Sequence, residues 1–285
     1  MLSLFQGIVL GLAQGITELF PISSLGHSVL LPGLFGWHLD QNADAFLTFL
    51  VATHVATALV LFIIYRKDWF RIIRGIFRSL GEREIRESDP DAKLGWLLVV
   101  STVPAGILGL IFKDEITGVF LSPRSAAFFL ILNGLLLALA ERWRKRARIS
   151  AGEIRDADKR IAAELSWGQS VKVGLMQVLA LIPGFSRTGS TLAGGLLAGL
   201  SHEDALRYSF LLATPIIGAA AALQLPSLLS AGGYSLTVTL AGAIAAGAAA
   251  YFSVRFLTHY FKTKTLAPFA VYCAVIGILG LAILH

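Results

Sequence analysis

The sequence predicts an all-α polytopic membrane protein with a single membrane domain, residues 1 to 285. Charged side chains make up 15% of the chain and hydrophobic ones 55%, whereas soluble domains carry about 25% charged residues. The apolar residues lie in long uninterrupted runs rather than in amphipathic stripes, which is typical of helices that cross a bilayer. Four shorter apolar runs are paired across polar turns, so short helical hairpins accompany the full spans.

Six apolar runs are long enough to cross roughly 30 Å of hydrocarbon as α-helices. They cover residues 44 to 65, 94 to 112, 124 to 140, 205 to 225, 236 to 257 and 266 to 284. The four short runs cover residues 2 to 20, 25 to 37, 169 to 182 and 188 to 200. We expect each short pair to be re-entrant. Its proline-containing polar tip is tolerated at membrane depth only where protein or water satisfies the backbone.

The two short hairpins repeat each other at a constant offset of 163 residues. The identical positions are Gly11-Leu12 and Gly174-Leu175, Gln14 and Gln177, Ser23 and Ser186, and Gly26 and Gly189. Each half then continues with three spans, so residues 1 to 140 and 169 to 285 form two repeats joined by a linker over residues 141 to 168. Because a hairpin returns to its starting side and three spans do not, the repeat is inverted. Inverted repeats with broken helices place their sites near the midplane.

Lys and Arg are concentrated in the loops predicted on one side of the membrane. Residues 66 to 93 and 141 to 168 hold eight each and residues 255 to 264 hold three, whereas the loops of the other side hold Lys113 and Arg124. The positive-inside rule makes the basic side cytoplasmic. We therefore expect the site between the hairpins to face the periplasm or outer surface, and the net charge of +6 to set orientation rather than bind nucleic acid.

The basic segment over residues 66 to 93 also contains apolar and aromatic residues, including Trp69, Phe70 and Phe77. Its first part could form an amphipathic helix on the cytoplasmic leaflet. The alternative is an ordinary solvated loop that only fixes topology. The composition favours neither.

The two hairpin tips carry the charged and hydroxyl residues of the predicted site. Glu18 and Arg187 fall within apolar runs, where a charge costs roughly 2.5 to 3.5 kcal/mol on insertion scales, so we expect a function for both. The structural alternative is an ion pair that locks the halves together. The second arm of each hairpin begins at its tip, and two helix N-termini beside a guanidinium predict a phosphate site. Gly184 and the serine-rich turns allow close backbone approach.

Glu18 has two candidate roles in this site. With Gln14, one turn earlier on the same helical face, it could hold a hard divalent cation, Mg2+ or Ca2+, through oxygen ligands. It could instead orient or deprotonate His27, which would then act as a base or a nucleophile. These alternatives stay open at the level of sequence.

Other polar residues within the spans are interpreted as hydrogen-bonding partners between helices rather than as catalytic groups. They are Thr53, His54, Thr57 and Asn133. The Gly- and Ala-rich run over residues 241 to 250 predicts close helix packing, either within one chain or between the subunits of a homodimer.

The tip motifs resemble those of the bacterial undecaprenyl-diphosphate phosphatase family, which is associated with bacitracin resistance. Gln14 and Glu18 are followed by Phe-Pro-Ile-Ser-Ser-Leu-Gly-His at residues 20 to 27, similar to the family's first signature. Pro-Gly-Phe-Ser-Arg-Thr-Gly-Ser-Thr at residues 183 to 191 is similar to its second. Further similarity at residues 65 to 68, 102 to 106 and 208 to 211 extends the resemblance along nearly the whole chain.

The resemblance implies hydrolysis of undecaprenyl diphosphate, a polyprenyl lipid, to the monophosphate and inorganic phosphate, with a divalent cation, in the bacterial inner membrane. It implies catalytic roles for Glu18, Ser24, His27 and Arg187. It implies phosphate-binding roles for Ser186, Arg187 and Thr191. We further predict substrate contacts at Gln14, Ser23, Gly184 and Thr188, and a metal site at Glu18 and Gln14. The nucleophile is Ser24, His27 or a water. The rival function is a secondary transporter or lipid flippase, because inverted repeats with broken helices are a transporter architecture.

Overall fold

The computed structural model describes residues 2–37, 39, 44–112, 122–144, 146–148, 153–230 and 235–284, with only the backbone described at residues 44, 221 and 223–230. Within these ranges the chain forms twelve α-helices and one short 3-10 helix, without a β-strand. The first half contains α1 Leu4–Thr17, α2 Ser24–Leu34, α3 Asp44–Ile64, α4 Arg66–Glu82, α5 Pro90–Ile111 and α6 Pro123–Trp143. The second half contains α7 Ala157–Glu164, α8 Trp167–Val178, the 3-10 helix Leu179–Leu181, α9 Arg187–Ala198, α10 His202–Ser230, α11 Leu236–Tyr260 and α12 Ala267–Ile283.

Four of the described helices are long and apolar enough to cross a membrane, namely α3, α5, α6 and α11. Helices α1 and α12 are shorter apolar helices, and α10 has 29 residues. Large apolar side chains such as Phe5, Ile244 and Phe252 are exposed on the outside of the bundle, as a lipid environment requires. The predicted all-α, multi-pass architecture is therefore confirmed.

The first arms of the two hairpins begin in the same way. Helix α1 starts with a capping box in which Ser3 and Gln6 each bond the other's backbone N–H. Helix α8 starts with the same reciprocal pair, Ser166 and Gln169, 163 residues later. A capping box satisfies two of the free N–H groups at a helix start. The repeat detected in the sequence thus has a local structural counterpart.

The same two arms also pack onto their neighbours through glycines. Helix α1 lies against α11, where a Cβ on Gly11 would collide with the Gly242 carbonyl. Helix α8 lies against α5, where a Cβ on Gly174 would lie 2.5 Å from the Ser101 carbonyl oxygen. Small residues let membrane helices approach backbone to backbone. At Gly242, the Gly- and Ala-rich run therefore serves packing within one chain.

The first part of the basic segment forms a helix, α4, as the first of the two alternatives predicted. Ile72 is fully buried in the core, whereas Phe70 and Phe77 are each 70% exposed. Gly75 allows close contact with α5, because a Cβ there would lie 2.6 Å from the Ala92 nitrogen. Helix α4 thus buries one apolar face and leaves a second one exposed.

Ion pairs attach the linker helix α7 to the rest of the bundle. Asp158 is 1% exposed and accepts hydrogen bonds from Arg71 of α4 and Arg207 of α10. Arg160 places its guanidinium fork on Asp204, with N–O distances of 2.7 and 3.0 Å. The hydrogen bond to Asp204 raises the pKa of Arg160 above its ordinary value. Two parallel hydrogen bonds between a guanidinium and a carboxylate are strong and also fix the relative orientation of the two side chains.

Candidate active site

The second arm of each hairpin begins at its polar tip with a serine cap. Ser23 Oγ accepts from the Gly26 N–H at 3.2 Å, and Ser186 Oγ accepts from the Gly189 N–H at 3.1 Å. Ser23 itself has a φ of 69°, a conformation that costs a non-glycine residue about 1 to 3 kcal/mol. The tips therefore present two helix N-termini whose remaining N–H groups favour anions.

Asn133 of α6 joins the two tips. Its Nδ2 donates to the Pro21 carbonyl at 2.9 Å, and its Oδ1 accepts from the Ser186 N–H at 3.0 Å. Asn133 is fully buried, so both bonds are protected from water. The predicted interhelical role of this asparagine is confirmed.

The two tips line one cavity of about 350 Å³. Its polar lining residues are Thr17, Glu18, Ser23, Ser24, His54, Gln177, Ser186 and Arg187. Its aliphatic walls include Leu47, Leu50 and Val51 of α3 and Ile216 and Ile217 of α10. A cavity with charged tip residues and aliphatic helix walls suits a ligand that has an ionic head and an apolar tail.

Glu18 and Arg187 form a buried ion pair across the cavity. Glu18 Oε1 accepts from Arg187 Nη2 at 2.9 Å, with side-chain exposures of 5% and 12%. Arg187 Nη1 also donates to the Ser209 carbonyl at 3.3 Å. Its Nε–H has no hydrogen-bond partner within the described part of the chain. A guanidinium fixed on one edge with a donor unused on another can bind an anion.

The second carboxylate oxygen of Glu18 contacts three further side chains. Oε2 accepts from Ser24 Oγ at 2.6 Å and from Gln14 Nε2 at 3.2 Å. His54 Nε2 lies 3.3 Å from the same oxygen. The bond from Ser24 is short, as expected for a hydroxyl donating to a carboxylate. Glu18 is thus oriented on both oxygens and is placed to accept the proton of Ser24.

His54 is a site residue that the sequence interpretation missed. The sequence predicts only hydrogen bonding between helices for this residue, but His54 lines the cavity and its Nε2 lies 3.3 Å from Glu18. Nδ1 bonds the Leu50 carbonyl at 2.8 Å, which leaves Nε2 directed at the carboxylate. An ionisable residue inside the apolar run of α3 was the available signal, the same one that singled out Glu18.

His27 does not contact Glu18, so the alternative in which Glu18 orients or deprotonates it is wrong for this structure. His27 Nδ1 lies 2.7 Å from the Ser23 carbonyl oxygen, and Nε2 lies 2.9 Å from the Tyr272 hydroxyl. The ring is 3% exposed and stacks on Tyr272. Nδ1 bonds within the first tip, and Nε2 holds this tip against α12, a distant contact that spacing alone did not reveal.

The other predicted substrate-binding residues lie behind the cavity wall. Thr188 Oγ1 donates to the Glu18 carbonyl at 2.9 Å, and Thr191 Oγ1 lies 2.6 Å from Ser209 Oγ. Gly184 has a φ of 106° and faces α6, where a Cβ would lie 2.5 Å from the Ala126 carbonyl oxygen. These residues shape the tips. Their direct contact with a substrate stays a prediction.

The described residues contain no group of three or more His, Cys, Asp or Glu side chains arranged to hold a metal ion. The oxygen atoms that could bind a hard cation are those of Glu18 and Gln14. Gln14 is 1% exposed, and its Oε1 has no partner among the residues described. A carboxylate and an amide oxygen supply part of a Mg2+ shell, which commonly includes water and substrate phosphates.

The bundle of apolar helices defines a multi-pass membrane protein. It encloses two facing hairpin tips, which a carboxylate–guanidinium pair joins, and this polar centre suits a phosphate group. The chain belongs to the bacitracin resistance protein BacA family, whose family model matches residues 7–279. The family expected from the tip motifs is therefore confirmed.

Curated relatives match along the full chain. A protein of Mycolicibacterium paratuberculosis named undecaprenyl-diphosphatase is 46% identical over 97% of this chain and 95% of its own length. A protein of Burkholderia orbicola named undecaprenyl-diphosphatase 2 is 44% identical over 100% of this chain and 99% of its own length. A protein of Frankia alni with the latter name is 41% identical over 98% of this chain and 97% of its own length.

Proposed function

We propose that the protein hydrolyses undecaprenyl diphosphate to undecaprenyl phosphate and inorganic phosphate. This reaction recycles the lipid carrier of cell-wall synthesis and accounts for bacitracin resistance. The observation that carries the proposal is the buried Glu18–Arg187 pair, at 2.9 Å, between two helix N-termini that open into one cavity. The names of the relatives, undecaprenyl-diphosphatase, support it.

Arg187 and the helix starts would bind the diphosphate. The Nε–H of Arg187, which has no partner among the described residues, and the N–H groups at the starts of α2 and α9 would donate to the developing negative charge. Donors that are fixed before the reaction lower the barrier because they need no reorganisation. The aliphatic walls from α3 and α10 would accompany the first part of the prenyl chain, whose remainder stays in lipid.

Ser24 is the nucleophile that the geometry favours over His27. Its Oγ lines the cavity and donates to Glu18 at 2.6 Å, so the carboxylate can take the proton as the oxygen attacks the terminal phosphorus. The anhydride P–O bond then breaks and undecaprenyl phosphate leaves. A water then attacks the phosphoserine, inorganic phosphate is released, and the proton held by Glu18 returns to Ser24 Oγ. Direct attack by water is the alternative, with Ser24 and Glu18 orienting it.

A divalent cation, Mg2+ or Ca2+, is part of the proposal. Glu18 and Gln14 would hold it, because the two side chains are in contact, with Gln14 Nε2 3.2 Å from Glu18 Oε2. The buried Gln14 Oε1 has no partner among the described residues. When bound, such an ion neutralises charge on the diphosphate oxygens.

The same proposal includes six spans arranged as an inverted repeat, with residues 1 to 140 and 169 to 285 as the two halves. Two observations support it. The capping boxes of α1 and α8 recur at the 163-residue offset. Helix α1 packs on α11 as α8 packs on α5. In this topology the basic segments are cytoplasmic and the cavity opens to the periplasm or outer surface of the bacterial inner membrane.

Helix α4 and the outer face of α11 suggest further membrane contacts. The exposed Phe70 and Phe77, next to the arginines of α4, suit a helix lying on the cytoplasmic leaflet. Leu240 and Ile244 of α11 are also exposed, and they would face lipid or a second copy in a homodimer.

Phosphate release from a polyprenyl diphosphate tests the function. Purified protein in detergent, supplied with Mg2+ or Ca2+, should release inorganic phosphate and leave the lipid monophosphate. Protein without this activity that moves a lipid or solute across proteoliposomes would instead be a transporter or flippase. An Arg187→Ala variant purified in parallel controls for contaminating phosphatases.

A further inference from the structure

Gln177 occupies in the second hairpin the position that Gln14 occupies in the first. The two glutamines are 163 residues apart, the offset that relates the two tips. Both are buried, Gln14 at 1% and Gln177 at 2% exposure. Their surroundings differ in one respect that bears on function.

The difference lies one helical turn after each glutamine. Gln14 is followed by Glu18 and donates to its carboxylate at 3.2 Å. At the corresponding position the second half has Leu181, which offers no acceptor. The Gln177 side chain is therefore not tied to a neighbouring carboxylate. Its Nε2 lies 3.5 Å from the Ser101 carbonyl oxygen, a marginal hydrogen bond.

Gln177 lines the same cavity as Glu18, Ser24 and Arg187. Its Oε1 has no hydrogen-bond partner in the described structure. The amide orientation follows from its neighbour, because the Ser101 carbonyl is an acceptor and so must face the nitrogen. A buried acceptor without a partner costs free energy, and a ligand in the cavity that Gln177 lines can supply the missing hydrogen bond.

The chemistry of an amide oxygen limits that ligand. Oε1 can only accept hydrogen bonds. An ionised phosphate oxygen is also only an acceptor, so the two cannot form a hydrogen bond with each other. An O–H group does pair with it. Hydrolysis consumes one water, whether the water attacks the diphosphate directly or cleaves a phosphoserine.

We propose that Gln177 is a positioning residue that holds the hydrolytic water through Oε1. The inference rests on the proposed phosphatase function. In the step it serves, the water oxygen bonds to phosphorus and one water proton is released to solvent. In direct attack on the diphosphate, the P–O bond to undecaprenyl phosphate breaks. In cleavage of the phosphoserine, the P–O bond to Ser24 Oγ breaks and this oxygen takes back the proton held by Glu18. Gln177 takes no proton, because an amide is not a base at neutral pH. It aligns the water.

Two substitutions that introduce side chains similar in size to glutamine test whether the acceptor oxygen of Gln177 is needed. Gln177→Met removes the acceptor, and Gln177→Glu keeps an acceptor oxygen. Both remove the N–H that faces Ser101, so a difference between them in kcat reports on the acceptor, and the added charge of the glutamate is measured in KM. We expect Gln177→Met to lower kcat about ten-fold or more with little change in KM. Gln177→Glu should recover most of kcat, with a higher KM because a second carboxylate repels the diphosphate.

Gln169→Met on the same helix is the matched control. Gln169 takes part in the capping box and donates to the Ala198 carbonyl at 2.5 Å, outside the cavity. Its substitution should lower the unfolding temperature and leave kcat unchanged. All variants are purified as full-length protein, and their unfolding temperatures in detergent are measured beside the kinetics.

The outcomes are distinct. The role of Gln177 would be overturned by a wild-type kcat in Gln177→Met. It would also be overturned by a kcat in Gln177→Glu below that of Gln177→Met, a result that would point to a phosphate contact through the amide N–H groups. Wild-type protein that releases no phosphate would instead defeat the proposed function itself.

Discussion

Glu18 and Arg187 are 169 residues apart in sequence, and their side chains meet at 2.9 Å inside the bundle. The pair joins the two hairpin tips, and Arg187 keeps its Nε–H unused among the described residues. Both residues also line the cavity, a position that an ion pair serving only to lock the halves together would not need. The arrangement favours a site in which Glu18 fixes Arg187 for a third, anionic partner.

Arg187→Ala should lower turnover of a polyprenyl diphosphate by about 10²- to 10³-fold, the usual loss when one fixed donor to a developing charge is removed. Glu18 keeps hydrogen bonds from Ser24 and Gln14, so the chain should stay folded. Phosphate release and detergent unfolding temperature measure the two effects.

Arg187→Lys refines that comparison, because it keeps the charge beside Glu18 but loses the planar fork. It should fold as well as wild type and remain strongly impaired. Arg255→Ala, an exposed arginine next to Tyr251, is the control and should retain activity. Full activity in Arg187→Lys would mean that a point charge suffices and that the fork is not used.

His54→Ala should lower kcat/KM, because the ring contacts the carboxylate that orients Ser24. This expectation replaces a purely structural role for His54. The measurement is kcat/KM together with unfolding temperature, and His54→Gln provides the rescue. A glutamine amide can still donate to Glu18, so His54→Gln should recover more activity than His54→Ala.

Thr57→Ala is the control within the same helix. Thr57 donates to the His54 carbonyl and does not line the cavity, so its substitution should leave kcat/KM near the wild-type value. Equal activities for His54→Ala and Thr57→Ala would return His54 to a packing role.

Sequence was sufficient for the parts of this protein that local patterns encode. The helical segments follow from apolar runs, and the tips follow from polar residues that interrupt them. The repeat follows from identical residues at one offset, and each capping box is formed by residues three apart in sequence. Glu18 and Arg187 stood out because charges in apolar runs are expensive.

Sequence was not sufficient where contacts join distant elements. The ring of His27 bonds Tyr272, 245 residues away, and nothing in the first signature indicates that partner. His54 reaches Glu18 from α3 only because α3 packs beside the first tip. Ser24 lines the cavity, whereas Thr188 lies behind its wall. This difference depends on how the two hairpins meet.

Removing divalent cations should abolish phosphate release, and Mg2+ or Ca2+ should restore it. Gln14→Glu makes this test specific, because it adds a second carboxylate beside Glu18 where the wild type has an amide. The variant should reach half-maximal activity at a lower cation concentration, since hard cations bind more tightly as ligand charge increases.

Cation titrations of wild type, Gln14→Glu and Gln14→Leu provide the measurement. Gln14→Leu should need more cation than wild type and should also lose part of the orientation of Glu18. Three identical titration midpoints would show that Gln14 is not a ligand, and activity that survives chelation would remove the cation from the mechanism.

Cysteine labelling tests the membrane topology that the basic loops predict. Ser122 and Glu84 are both exposed, at ends of the bundle that the inverted repeat assigns to opposite sides. In intact cells with a permeable outer envelope, an impermeant maleimide should label Ser122→Cys, and it should label Glu84→Cys only after the inner membrane is opened. The native Cys273 is fully buried, so wild-type protein serves as the unlabelled control. Labelling of Glu84→Cys alone in intact cells would reverse the orientation, and the cavity would then open to the cytoplasm, where a periplasmic diphosphate could not reach Arg187.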